Sequence, residues 1–546
     1  QCLKLSMRED DHKLYQDIAR ATRALGLLLT ETGFRPHTAP VDRVLALSGS
    51  KVNALVDILA AESKALGPDL RALVLTDYEQ TSPTAIREVE GILDAEAGGA
   101  FAVIRALCDH PHTDPLDPVL VTGSSLMCDA DAADGFVARA RVWLESNAIA
   151  VAISSQPLEG LKLAAIQGEG PAWTPRTYVR LVTALFEEGL TRCLVGTRAL
   201  LGEGWDAVSI NTLVDLTAVT AFMTTNQLRG RSLRIDPRVP RKVADNWDVV
   251  CVAPTFEKGF NDYQRFMRKH LGFHGLCDDG QIASGVSHVH PALTRTDPSR
   301  IGSLVAPINA EMLARPAQRD RVYEAWKVGQ PYRGVEVTTV EVCLERSFGE
   351  PPPRKGQSLL QVIGQVFSTA QGHTGATQST LTGMSTAVLL ALQESGQIRR
   401  HLQPAHVHLS LRSDGFYRVL LDQASAEEAE LFARSVLEVL APLADQRYLI
   451  PRYEQQADLA NRLMGMAASL GVVDGRGGLK LAQWHPVPTA FESSRRTVDV
   501  YEKHWNAHVS PGRPIYCKHS AGKRILAENR QQNPWGVQTM QRTVWM

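Results

Sequence analysis

The sequence predicts an α/β protein: a parallel sheet with helices on both faces, followed by a smaller α+β domain. Three observations carry this. Short runs such as "RALVLT", "DPVLVTG", "LKLAAI", "TRCLVG", "NTLVDL" and "WDVVCVAP" are apolar at consecutive positions, as strands buried on both faces are. Helical segments separate them. Beyond the proline-rich stretch "PPPRKGQ" at 351–357 the pattern changes to a hairpin, a helix and a strand.

The elements follow in order. Leu14, Ile18 and Ala21 have helical spacing, and "TGFRPHTAP" reads as a linker, so residues 1–44 are expected to be a helical lead-in and linker. Residues 45–256 hold the regular alternation, beginning with the helix "KVNALVDILAAESKAL". In "WTPRTYVRLVTALFEEGL" Thr174 is placed to cap, Pro175 suits the first helical position and Gly189 stands just past the end. Val179, Val182, Leu185 and Phe186 give that helix one apolar face to set on the sheet.

Residues 257–335, with histidine, proline and glycine, are expected to be a connector. Residues 336–546 form the α+β accessory domain with a basic tail. A Gly/Ser/Thr/Ala-rich region runs to about 400; then "HVHLSLRSDGFYRVLLD" reads as a hairpin turned at Ser413-Asp414-Gly415. The helix "AEEAELFARSVLEVLAPL" and the strand "RYLIPRY" follow.

At 546 residues the chain exceeds one ordinary core. With 44% hydrophobic and 21% charged residues and a formal net charge of -1, composition implies neither a membrane nor a polyanion as a global partner. Any nucleic-acid surface must be local. The longest apolar candidate, "STAVLLAL", is too short to cross a bilayer. The eight cysteines are scattered, with no CxxC pair, which favours reduced thiols and a cytoplasmic location.

Chemistry concentrates in "LVGTRALLGEGWDAVSINTLVDL" at 194–216, where glycines, Thr197 and Asp206 stand between two apolar runs. A polar loop after a buried strand is where such sheets place their sites. Downstream, "NQLRGRSLRIDP" sets Gln227, Arg231 and Arg234 at i, i+4 and i+7, one face of a helix. Guanidinium forks match phosphate geometry, so that face suits an anionic oxygen cluster. An ordinary solvated basic face has the same spacing.

The order of these pieces resembles the second RecA-like lobe of superfamily 2 helicases and translocases. The resemblance covers roughly residues 45–256 and is strongest from Gly168 to Pro237. It implies that Gly196 and Thr197 hold a nucleic-acid phosphate, and that Gly204 and Asp206 couple that loop to the nucleotide cleft. It implies further that Gln227 faces the nucleotide and that Arg231 and Arg234 act as arginine fingers. ATP and Mg2+ are the implied cofactors and nucleic acid, DNA favoured over RNA, the implied partner, with no membrane partner.

The phosphate-cradling loop and Asp-Glu pair of a first lobe are missing from the sequence. "GHTGATQST" at 372–380 has no lysine, and "SAGKRIL" lacks the glycine spacing and the hydroxyl after Lys523. The expectation is therefore a first lobe upstream of Gln1, where "QCLKLSMRED" opens without methionine, or on a partner chain, with this chain inactive alone. Val208 stands where many relatives carry proline. The rival reading is a non-catalytic nucleic-acid-binding or scaffold protein that keeps one such lobe. A methyltransferase ranks last, for want of a Gly-x-Gly-x-x-Gly.

Three weaker features complete the reading. Thr122-Gly123-Ser124-Ser125 follows a strand and suits a nucleic-acid backbone, though an ordinary turn has the same form. His270, His274, Cys277, His288 and His290 have spacing that could wrap zinc, with surface or core histidines as the default and no metal assigned. The last fifty or so residues interleave Arg495, Arg496, Lys503 and Arg513 with Trp505, Tyr516, Trp535 and Trp545, suited to phosphates and bases or to ordinary surface. No nuclease pattern is present.

Overall fold

The computed structural model describes residues 8–24, 27–30, 33–36, 40–46, 48–77, 79, 99–201, 205–256, 258–294, 298–327, 329–331, 334–345, 348, 373–412, 415–455, 479–530 and 536–545. The chain forms two units, residues 1–273 with 293–329 and residues 274–292 with 330–546.

The first unit opens with helix α1 (Glu9–Ala24) and a hairpin, β1 (Leu27–Thr30) against β2 (Gly33–Pro36). The expected helical lead-in therefore stops at Ala24, and part of the expected linker is strand. The Thr30 hydroxyl donates to the Gly33 carbonyl at 2.8 Å across the turn. Short α2 (Pro40–Ala46) and long α3 (Gly49–Leu66) lead into the sheet.

That sheet has eight strands: β3 (Ala72–Thr76), β4 (Val119–Val121), β5 (Leu126–Asp129), β6 (Ala152–Pro157), β7 (Leu163–Glu169), β8 (Cys193–Thr197), β9 (Thr212–Asp215) and β10 (Asp245–Asp248). Their order is β10-β9-β3-β8-β4-β5-β7-β6. From β10 to β4 every neighbour is parallel; β5, β7 and β6 continue antiparallel. The α/β class holds, with two corrections. "LKLAAI" is β7, paired antiparallel, and "WDVVCVAP" is strand only to Asp248.

Alternation along the strands assigns the two faces. Leu73, Leu75, Val119, Val121 and Leu194 pack with Phe136, Ala140 and Leu144 of α5 (Ala133–Ser146) and with Leu181, Val182, Leu185 and Phe186 of α6 (Pro175–Glu188). Ala72, Val74, Leu120 and Val195 turn the other way, onto Leu55 and Leu59 of α3 and Val103, Ile104 and Leu107 of α4 (Ala100–Asp109). Both faces are thus dry, which is why these strands read as unbroken apolar runs.

Helix α6 begins and ends where its sequence says. Thr174 accepts the Thr177 amide, and Gly189 closes the helix at φ +85, a backbone that favours glycine. Residues 44–69, which contain α3, are long and apolar enough to cross a membrane by length and composition alone. In the fold α3 instead covers the sheet, and its Glu62 is buried.

Glu62 accepts from the Trp247 indole at 2.6 Å and the Arg319 guanidinium at 2.5 Å, with Asp245 close by. Burial first, then repulsion from Asp245, pushes its carboxyl up to about 7 against the pull of Arg319. A carboxyl raised in the folded state binds a proton that the unfolded chain releases near 4.5, so its contribution to stability falls as pH rises from there to 7. Glu62→Gln is expected to remove that fall, a slope of up to about 1.4 kcal/mol per pH unit, in urea titrations of the first unit across this range.

The first unit also holds α7 (Arg198–Leu201) and α8 (Phe222–Ser232), which precede β10 in the chain, and α9 (Asn261–His270), α10 (Val305–Ala314) and α11 (Arg319–Ala325), which follow it. The second unit takes β11 (His274–Leu276) and β12 (Ile282–Ser284) from the middle of the chain. The expected connector 257–335 is therefore divided: α9, α10 and α11 belong to the first unit and β11 and β12 to the second.

The second unit is α+β. Its larger sheet runs β11-β12-β19-β13-β15-β14, with β13 (Glu336–Cys343), β14 (Val407–Leu411), β15 (Tyr417–Leu421) and β19 (Gln538–Trp545). A smaller sheet runs β17-β16-β18, with β16 (Tyr448–Gln455), β17 (Leu479–Pro486) and β18 (Ile515–Tyr516). Helices α12 (His373–Glu394), α13 (Ala426–Leu440), α14 (Arg495–His508) and α15 (Ser520–Asn529) complete it.

The expected hairpin is β14–β15; Ser413 and Asp414 of its turn lie outside the described residues. Ser425 and Glu428 form a capping box at the start of α13. Most of the Gly/Ser/Thr/Ala-rich region between 373 and 394 is the helix α12, whose Leu381, Val388 and Leu392 join Phe432, Tyr501 and Trp505 in one core.

Candidate functional site

Parallel register brings the carboxyl ends of four strands together. Thr76 of β3 lies beside Thr197 of β8, Leu75 beside Asp215 of β9, and Val121 of β4 beside Gly196. This is the edge at which open α/β sheets hold ligands. Gly196 and Thr197 are thus at the strand end, as expected, with Thr197 largely buried. Asp77, just past β3, accepts the Ala218 amide at 2.7 Å and faces Arg198 at 3.8 Å. Burial, partly offset by that amide, raises its carboxyl above the ordinary range.

Thr122 stands at the end of β4. Its hydroxyl accepts the Ser124 and Ser125 amides at 3.3 and 2.9 Å, and its carbonyl accepts the buried Tyr178 hydroxyl at 2.7 Å. Ser124 and Ser125 in turn donate to the two oxygens of Glu79 at 2.5 Å each. Glu79 had no part in the sequence reading. Nothing in the sequence around it marks it, because its partners lie on another strand end.

The arginine-bearing helix departs from expectation. Helix α8 ends at Ser232, whose hydroxyl bonds the Arg229 carbonyl and Asn246, so Arg234 lies beyond the last turn. Gln227 is exposed, whereas Arg231 is only 6% exposed and donates to the Trp205 carbonyl. The three side chains do not form one exposed ridge: the helix is shorter than the spacing assumed, and Arg231 turns inward. Burial, then the neighbouring Arg234, lowers the Arg231 pKa.

Arg234 forms an ion pair with Asp206, their side chains 43% and 53% exposed. The two motif segments therefore meet, Arg231 through Trp205 and Arg234 through Asp206. Gly204 lies outside the described residues.

A buried charge cluster closes the far side of the edge. Asp215 and Asp248 are paired in register on β9 and β10, an arrangement that repels unless a cation intervenes. Lys269 of α9 supplies it, reaching Asp215 at 2.5 Å and bonding Asp248 as well. Arg229 meets Asp248 at 2.5 Å, and His270 Nε2 lies 3.0 Å from the same carboxylate. Burial alone would raise Asp248, but His270, Lys269 and Arg229 hold it far below the ordinary range. Burial pulls Lys269 down, yet the two carboxylates outweigh it and raise it. Arg229 thereby ties α8 to the edge strand.

The histidine-rich segment does not converge. His270 belongs to the first unit and the other four residues to the second. His274 packs edge-on against Trp545, His290 accepts the Ala292 amide at 3.2 Å, and Cys277 Sγ approaches the Ser287 carbonyl at 3.8 Å. Among the described residues no group of three or more His, Cys, Asp or Glu side chains is placed to hold a metal ion. In the basic tail Trp505 is a core residue rather than a stacking platform, and Trp535 lies outside the described residues. Cys108, Cys128, Cys193, Cys251, Cys277 and Cys517 carry free thiols.

No protein-family model matches the chain, and no curated protein matches its sequence.

Proposed function

We propose that this chain supplies the second RecA-like lobe of an ATP-dependent nucleic-acid helicase or translocase. The observation that supports it is the meeting of the two motif segments on either side of β9: Asp206 pairs with Arg234 while the carbonyl of Trp205 accepts from Arg231. In this assignment Thr197 and Thr122, at the carboxyl edge, contact a nucleic-acid backbone, DNA before RNA. Gln227 and Arg234 face a triphosphate that a first lobe would hold with Mg2+.

The chemistry supplied by ATP is phosphoryl transfer to water. This chain would contribute positive charge and a strand contact. Arg234 suits the finger role because an exposed ion pair is worth only about 0–1 kcal/mol, so leaving Asp206 costs little. Arg231, buried as it is, positions the loop after β8 rather than reaching outward. That burial equally favours the second reading, a binding or scaffold protein with one retained lobe. A cytoplasmic location belongs to the same proposal.

The test is equilibrium binding of a fluorescent single-stranded oligonucleotide by the full chain, followed over a series of salt concentrations. Thr197→Val keeps the shape of the strand end and removes one hydroxyl, and should weaken binding about three- to tenfold. A wild-type chain that binds no strand at low salt would overturn both readings. Binding that persists together with ATP turnover indifferent to Arg234→Ala would select the scaffold.

A further inference from the structure

Glu79 is held in an unusual way for a surface carboxylate. Ser124 and Ser125 each give it one hydrogen bond at 2.5 Å, to separate oxygens. Burial works against its ionisation, yet the Ser124, Ser125 and Thr122 hydroxyls outweigh it and bring its pKa below the ordinary value. Two hydroxyls thus hold one anion, with Thr122 beneath them.

The cradle is rigid and open at once. The Thr122 hydroxyl fixes the turn through the amides of Ser124 and Ser125, and Tyr178 braces the Thr122 carbonyl from beneath. Gly123 and Ser124 are exposed, and a Cβ built on Gly123 would meet none of the described residues within 4 Å. Among the described residues the Gly123–Ser124 end of the turn therefore faces solvent. Glu79 itself is anchored from the other side, its carbonyl accepting the Phe101 amide at 3.3 Å near the start of α4.

The position matters as much as the donors. The cradle ends β4, whose Val121 is registered with Gly196, so it neighbours Thr197 on the same edge. A phosphodiester and a carboxylate ask the same thing of a hydroxyl pair, two charge-assisted bonds to two oxygens of one anion.

We infer that the Thr122–Ser125 turn is a phosphodiester subsite and that Glu79 is its built-in competitor, a carboxylate that must leave before a strand can bind across β4 and β8. The inference rests on the proposed nucleic-acid reading and deepens it: it names the groups that receive the phosphate and the one that withholds it. Removing the negative charge frees the Ser124 and Ser125 hydroxyls, over a turn that the buried Thr122 keeps in shape, and ends repulsion of the incoming backbone.

The experiment measures the affinity of a fluorescent single-stranded oligonucleotide for the full chain carrying Glu79→Gln or Glu79→Ala. Each should bind about tenfold more tightly than wild type, one charge-assisted contact having ceased to compete. Adding Ser124→Ala and Ser125→Ala to the Glu79→Ala chain should abolish that gain. Circular dichroism establishes that each variant is folded.

Unchanged or weaker binding by both folded Glu79 variants, with Thr197→Val still impairing wild-type binding, would overturn the competitor and leave the nucleic-acid reading standing. Absence of binding by every protein, wild type included, would overturn both. Relief of competition seen with inorganic phosphate but not with the oligonucleotide would also overturn the assignment to a strand.

Discussion

Lys269→Met is expected to lower the stability of the first unit by about 3–5 kcal/mol, read as a shift of its urea unfolding transition by circular dichroism. Methionine fills most of the volume that the lysine stem occupies, so packing changes little. What goes is the lysine that pairs with Asp215 and, with Arg229 and His270, faces Asp248. Two carboxylates in register on adjacent strands are then left to repel in a site from which water is nearly excluded. Losing the cation raises the folded Asp248 carboxyl from its depressed position, so the deficit should be full at neutral pH and shrink as pH falls and that acid protonates. A deficit independent of pH would mean that packing, not charge, had been lost.

Arg418→Met should be comparably costly in the second unit, by about 3–5 kcal/mol. Arg418 is fully buried, and its guanidinium joins Asp279 at 2.8 Å to Glu341 at 2.9 Å. Arg412 and Arg542 also reach Glu341, at 2.9 and 3.1 Å, so that acid keeps partners in the variant. Asp279 keeps the Ser410 hydroxyl at 3.0 Å and the Gln281 amide at 3.3 Å, and loses its bidentate guanidinium. The damage should therefore concentrate in the segment that carries Asp279. Limited proteolysis should cut the Arg418→Met protein between 274 and 292 well before the rest, while the wild type resists there.

The parts of this fold legible in the sequence are those whose environment is local. Strands β3, β8 and β9 are buried on both faces and read as apolar runs; α6 carries its own cap, proline and terminal glycine. Strand β10, "DNWD", sits at the sheet edge and is held by charge, so it offers no apolar run, and the reading placed the strand a few residues late. The direction of β7 was hidden because it depends on β5 and β6, not on β7 itself.

The candidate site divides in the same way. Thr197 at a strand end followed from "TRCLVG", whereas the ridge of Gln227, Arg231 and Arg234 presumed a helix running past Ser232. Glu79, Lys269 and Asp248 escaped notice because each acquires its role from a partner distant in the chain. Trp505 shows the converse: an aromatic among basic residues reads as a surface anchor until burial makes it core.

The pairing of β12 with β19, through Ile282 and Trp545, sets an order on biosynthesis. The hairpin of β11 and β12 leaves the ribosome long before either β13 or β19 exists, and until then its outer edge has no strand to join. Asp278 and Asp279 sit at its tip, and the ion pairs they make with Arg412 and Arg418 must wait until those residues have been made. Carboxylates on an unpaired edge discourage other nascent chains from adding to it. The hairpin thus stays open along one side until the last strand of the sheet is made.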